Sequence, residues 1–206
     1  MNGYNINSLN KISRIASEKA SKALSELVCR KINIEVFKTE VKEVVKVSLP
    51  IGMEEIVAGI FLPAGGDIRG ATLLIFPKES ALEMSDLILR RKMGSTKKLS
   101  ALDKSALLEI GNIVSGNFLS VLANEMKIKI IEEVPIFSFD MFGAIINQVV
   151  ASFHEESEKT LIIEILFNFK KQHIKAYYLL LFEVEQFEAI LDSLKSLDNL
   201  KSGTIK

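Results

Sequence analysis

Residues 105–117 read SALLEIGNIVSGN, an apolar stretch interrupted by Ser105, Glu109, Asn112 and Gly116. At about 100° per residue, spacings of four, three and four fall on one side of a helix. A carboxylate and a carboxamide at i and i+3 project together. The acid can meet a cation on a docking protein. The amide can both donate to and accept from a water. A solvated face is the plain alternative, but such faces usually carry Lys, Glu, Gln or Arg, which are good helix formers. Here Ser, Asn and Gly stand instead, and a glycine costs about 1 kcal/mol relative to Ala inside a helix. Gly111 and Gly116 are therefore expected where another backbone approaches closely.

The helix carrying these residues is expected over 103–126. Leu107, Ile110, Val114, Phe118 and Val121 form its core stripe. Ser105, Glu109, Asn112, Gly116, Ser120 and Ala123 lie opposite. Upstream, residues 8–29 read as an amphipathic helix on Leu9, Ile12, Ala16, Ala20, Ala23 and Leu27. Strands are expected at KINIEVF, VVKVSLP, EIVAGIFL and ATLLIFP, with AGGDIRG (64–70) as a turn. KESALEMSDLILRR reads as a helix, and RRKMGSTKK (90–98) as an exposed connection. The order then restarts. After the long helix come a strand KIKIIEEV, a helix DMFGAIINQVVASFH capped by Asp140, strands TLIIEILFNF and HIKAYYLLLF around KKQ, and a closing helix EVEQFEAILDSL.

LLIFPKESALEMSDLIL (73–89) aligns with LLLFEVEQFEAILDSL (179–194), which implies a duplication. The expected organisation is one domain, 1–206, of two pseudo-repeats, 1–97 and 98–206. Each half alone is small for a stable core, so their sheets should merge or exchange strands. A shift of 98 residues places the second helix on the first. The apolar stripe survives it. Ser105, Glu109, Asn112 and Gly116, however, fall on Asn7, Lys11, Arg14 and Glu18. The scaffold does not require the unusual face.

Composition narrows the classes. The chain has 26 basic and 26 acidic residues, so it offers no general attraction for nucleic acid or anionic lipid. Cys29 is the only cysteine, which excludes an internal disulfide and reads as buried filler at a helix end. His154 and His173 lack zinc-ligand spacing, and His154 beside EESEK reads as a surface residue. No run approaches 18 apolar residues, and MNGYNINSLN lacks the parts of a signal peptide. No metal, no membrane insertion and a cytoplasmic location are the expectations.

The motif resembles the signature of the CheC/CheX/FliY phosphatases of chemotaxis, and the likeness is to CheC above the others. That signature is Asp or Ser, three residues, Glu, two residues, Asn, about 22 residues, then Pro. Ser105, Glu109, Asn112 and Pro135 match it, with 22 residues between Asn112 and Pro135. GDIRGATLLIFPKESALEMSDLIL also looks like the CheC segment that closes the first half, and the resemblance runs from about residue 8 to residue 195. It implies an α+β fold, a pseudo-twofold duplication of αββαβ-type halves sharing a mainly antiparallel sheet flanked by long helices. Many CheC proteins carry the signature in both halves. Here Asn7, Lys11, Arg14 and Phe37 occupy the first-half positions and none matches.

The resemblance implies one catalytic site for dephosphorylating the phospho-aspartyl response regulator CheY. Glu109 would anchor by pairing with the regulator's lysine. Asn112 would orient the attacking water. Ser105, Gly116 and Pro135 would support them, and Mg²⁺ would belong to the phosphorylated partner. CheC proteins also bind the receptor deamidase CheD, which makes Asp140 and Gly143 candidate CheD contacts. The competing reading is a CheC-like adaptor for CheD with weak or no hydrolysis. A flagellar-switch role like that of FliY or FliM is a third, disfavoured because no extra C-terminal switch domain follows. Lys11, Arg14 and Lys22 read as a solvated face.

Overall fold

The computed structural model describes residues 6–43, 46–152, 159–169 and 172–182. The first helix, α1 (Ile6–Val28), buries Ile12, Ala16, Ala20, Leu24 and Val28. The buried stripe thus ends on Leu24 and Val28, whereas Ala23 is half-buried and Leu27 exposed. Spacings of four drift around the helix, and Ala23 and Leu27 sit on the far edge of that drift. Cys29 corrects the expectation of buried filler: it is exposed, just past the helix, with φ 53°. It closes the helix in the left-handed conformation instead of packing beneath it.

Strands β1 (Asn33–Glu43), β2 (Ile56–Gly66) and β3 (Gly70–Pro77) follow, then α2 (Lys78–Ile88) and α3 (Ala101–Met126). Next come β4 (Ile130–Glu132), β5 (Ile136–Met141), α4 (Phe142–Ser152), β6 (Lys159–Phe169) and β7 (Gln172–Phe182). The stretch VVKVSLP forms no strand over its described residues. Its alternation is still real, because Val47, Leu49 and Ile51 are buried against α4 without joining a ladder. The AGGDIRG turn is shorter than expected. β2 runs on to Gly66, whose φ of 113° starts the reversal, and β3 begins at Gly70. The closing helix expected at 183–194 and His154 lie outside the described residues.

All strand pairings are antiparallel, in the order β1-β6-β7-β3-β2-β4, with β5 also on β2. Exchanging β1 with β4/β5, β2 with β6 and β3 with β7 maps this order onto its reverse. Each half gives its first strand to the other half's sheet: β1 pairs with β6, and β4 and β5 pair with β2. Both halves therefore bury one shared core, which neither could fill alone. One face of the sheet carries α1, α2 and α3 over Ile60, Leu62, Leu74, Phe76, Ile165 and Tyr178. The other carries α4 over Val57, Leu73, Ile75 and Leu179. The central β7 is covered on both faces, so HIKAYYLLLF reads as a nearly continuous apolar run.

The KIKIIEEV strand shrinks to Ile130–Glu132. β4 and β5 lie end to end on one edge of β2, and the register slips by one residue between them. Pro135 sits in that gap, where its missing N–H costs no ladder bond. Glu133 N instead donates to Pro63 O at 3.0 Å. The helix expected from Asp140 starts later. Asp140 and Met141 complete β5, opposite Val57 and Ile56. Asp140 therefore does not cap α4, and its carboxylate accepts from Met141 N at 2.7 Å.

Candidate active site

α3 is held at its start by two buried carboxylates. Ser100 is the N-cap, and with Asp103 it completes a capping box. Asp103 also accepts from Ser85 Oγ and from Arg91 Nη1. Burial pushes its carboxyl up, but donors from Ser100, Ser85 and Arg91 outweigh burial and hold it far below the usual carboxylate range. Asp86, on α2, is fully buried. It accepts from Ser95 N and Oγ, both at 2.9 Å, and from Thr96 Oγ1 at 2.6 Å. Those bonds outweigh its burial and lower its pKa as well. The stretch 90–98 is largely exposed, as expected, but it is pinned at one point. It folds over Asp86, with Thr96 buried, because a buried carboxylate must collect donors.

From this anchor α3 crosses the sheet on Leu107, Ile110, Val114, Phe118 and Val121, all buried. The crossing is close at Gly111, where any β-carbon would strike the side chain of Ile60 on β2. Gly111 thus accommodates a side chain, not the backbone that was expected. Ser115, also buried, shares a 2.7 Å hydrogen bond with Thr72 on β3. The hydroxyl of Tyr178 lies beside both, fully buried, and burial raises its pKa more than Ser115 and Thr72 lower it. By length and composition α3 is apolar enough to cross a membrane. More than half of that segment is buried inside the fold, as in the core helix of a globular domain.

The opposite face of α3 points outward. Ser105 and Glu109 are exposed and Asn112 is half-buried. Ser105 Oγ donates to Ala101 O at 3.0 Å, one turn back along the helix. The other two side chains engage none of the described residues, so a carboxylate and a carboxamide stand ready on a rigid helix. Gly116 follows one turn on. A β-carbon there would lie 3.3 Å from both carboxylate oxygens of Glu132 on β4. Glu132, itself exposed, thus borders the face, and partial desolvation raises its pKa. Again a side chain fills the space over the glycine. Lys104 Nζ sits 5.9 Å from the ring centre of Phe137 on β5, closing the same flank nearer the N-terminus.

Pro135 lies behind this flank, between β4 and β5. Asp140 and Gly143 lie elsewhere, at the junction of β5 and α4. Gly143 N donates to Met53 O at 2.9 Å, and Met53 and Met141 are exposed nearby. In the first half Arg14 and Lys22 are exposed on α1, and Lys11 is half-buried. Among the described residues no three His, Cys, Asp or Glu side chains gather as a metal site.

The CheC-like family matches residues 102–138, which include Ser105, Glu109, Asn112 and Pro135. The chain is 28% identical over 191 residues to the CheY-P phosphatase CheC of Bacillus subtilis (strain 168), covering 90% of this chain and 91% of that protein. Over residues 102–138 the chain is similar to the CheC-like family. The fold agrees. FliY of Thermotoga maritima superposes with a TM-score of 0.77 at 16% identity, over 95% of this chain and 98% of that one. The FliM middle domain from H. pylori gives 0.67 at 11%, over 94% and 99%. A chain of the CheX-CheY-BeF3-Mg+2 complex from Borrelia burgdorferi gives 0.52 at 17%, over 82% and 96%. These three likenesses are of fold alone.

Three residues that position the face escape a motif reading. Asp103 had a visible signal, since Ser100-x-x-Asp103 is a capping box ahead of an apolar run. Asp86 and Glu132 had none. An acid in a helix and an acid in a strand look like any surface charge until the contacts are known.

Proposed function

We propose that the chain is a cytoplasmic phosphatase for a phospho-aspartyl response regulator of the CheY type. The observation carrying this reading is the pair Glu109 and Asn112. Both stand unengaged on the outer face of a helix anchored at its start, inside the segment matched by the CheC-like family. Glu109 anchors the partner through a cation. Asn112, one turn on, enters beside the acyl phosphate and holds the attacking water in line. The bond that breaks is P–O to the aspartyl carboxylate, and water supplies the oxygen of the phosphate released. The partner brings its own Mg²⁺, so this chain supplies positioning, not a nucleophile. An amide suits that task because it binds water without titrating. Ser105, Gly116 and Pro135 keep the face open and in place.

Decay of radiolabelled phospho-regulator, with and without the protein, tests the reading. Asn112→Ala should abolish stimulated decay and keep the far-UV spectrum. Glu109→Ala should mainly weaken binding to the phosphorylated regulator. Wild-type decay with Asn112→Ala would remove Asn112 from the mechanism.

The second reading is an adaptor for CheD. It is favoured by the exposed Met53 and Met141 beside Asp140 and Gly143, an apolar surface at the start of α4. Loss of CheD binding on Asp140→Lys, with normal phosphatase activity, would make the two roles separate surfaces of one protein.

A further inference from the structure

α1 lies along the outer edge of β1, and its serines stand in for a neighbouring strand. Ser25 Oγ accepts from Ile32 N at 2.9 Å, and Ser21 Oγ accepts from Ile34 N at 2.7 Å. Four residues of helix rise about 6 Å and two residues of strand about 6.6 Å, so serines four apart keep step with alternate strand amides. The next rung would join Ser17 to Val36. It is not made: the Ser17 hydroxyl is buried without a partner. At that point the edge changes direction through a bulge between Val36 and Lys38. Phe37, 67% exposed, turns outward. Around the broken rung, helix and strand leave a groove of about 470 Å³.

The groove is lined by Arg14 and Ser17 from α1 and by every residue of β1 from 33 to 39. The Thr39 hydroxyl on this strand is a second buried group without a partner. Arg14 has no carboxylate within ion-pair distance among the described residues, whereas Lys38 is held by Glu40 at 3.1 Å. Among the described strands, β1 pairs with β6 alone. An open strand edge offers alternating donors and acceptors, which another extended backbone satisfies best.

We infer that this groove docks a short extended segment of another protein, added as a strand to β1 beyond Val36, with one acidic side chain facing Arg14. The bulge and the α1 serines limit the free edge to a few residues, which favours a short segment over a second copy of β1. Glu18 and Glu35 also line the groove, so the segment carries one acid, not a run of them. Apolar neighbours of that acid rest on Phe37. The inference is independent of the phosphatase reading, because Arg14 lies on the other long helix.

The test is a titration of the full-length protein with acetylated, amidated Thr-Val-Glu-Val-Thr, followed by amide ¹H–¹⁵N shifts and hydrogen exchange. Saturable shifts and slowed exchange are expected on residues 36–40 of β1. Arg14→Glu should weaken that binding at least tenfold. The peptide with Lys in place of Glu should bind the variant better than the wild type. Shifts that never saturate, shifts away from β1, or no response to the charge swap would overturn the proposal. So would concentration-dependent protection of β1 without peptide, which would mean that a second copy occupies the edge.

Discussion

Replacing Asp103 with alanine tests whether the start of α3 is held as the structure implies. The substitution removes four hydrogen bonds to one carboxylate, from Ser100 N, Ser100 Oγ, Ser85 Oγ and Arg91 Nη1. Ser85 is fully buried and keeps a hydroxyl without a partner, a cost of about 1–3 kcal/mol. Arg91 loses its counter-ion but is 34% exposed, so water recovers part of that loss. Losing the reciprocal half of the capping box adds about 1 kcal/mol. The sum is about 2–4 kcal/mol before the part of the Arg91 loss that water does not recover. At roughly 2–4 °C per kcal/mol for a chain of this size, the melting point should fall by roughly 10 °C. Denaturant titrations from pH 7 to pH 3 give the sign. The folded pKa of Asp103 lies below its unfolded value of about 3.9, so the stabilisation is complete above that value. It is lost as pH falls towards the folded pKa, at up to about 1.4 kcal/mol per unit. The gap between wild type and Asp103→Ala should be constant near neutrality and narrow below about pH 4. A neutral-pH loss under about 1 kcal/mol, or a gap that does not narrow in acid, would refute the anchor.

Gly111→Ala should destabilise by about 1–3 kcal/mol in denaturant titration, because the added methyl meets the branched side chain of Ile60 within the sheet. Gly116→Ala should stay within about 1 kcal/mol of wild type, because Glu132 can swing aside and alanine favours the helix. Ser13→Ala should stabilise by about 1 kcal/mol, since the Ser13 hydroxyl is buried without a partner; a loss of stability would show that it has one.

What could be read from the sequence was whatever repeats with a period. The stripe from Leu107 to Val121 and the run of β7 follow from burial alone, and both are where periodicity puts them. Errors gather where burial and hydrogen bonding part company. Val47, Leu49 and Ile51 alternate like a strand but make no ladder. Asp140 looks like a cap but belongs to β5, because β2 has edge left to pair beyond β4. Gly111 and Gly116 were legible as close approaches, though not as to what approaches them. Contacts far apart in sequence, Gly111 with Ile60 and Gly116 with Glu132, leave no local trace.

The strand order maps onto its own reverse, and α1 and α3 each precede the first strand of a half. Ile12, Ala16 and Ala20 on α1 are buried like their mates Ile110, Val114 and Phe118 on α3, so the core does not dictate the outer faces of the two helices. On α3 the outer face is fixed at one end by Asp103 and bordered by Glu132 and Phe137. A water-positioning amide needs such support, because misplacement by about 1 Å can cost two orders of magnitude in rate. On α1 the serines are spent on the edge of β1, and Arg14 overlooks an open groove. The mate of the Asn112 position therefore lies over a strand edge instead of a braced flank. Restoring Glu and Asn at Lys11 and Arg14 should then leave the first half without phosphatase activity. Measured in an Asn112→Ala background, recovery of stimulated decay by Lys11→Glu/Arg14→Asn would show that the residues alone are sufficient. No recovery, with the fold intact, is the outcome this geometry predicts.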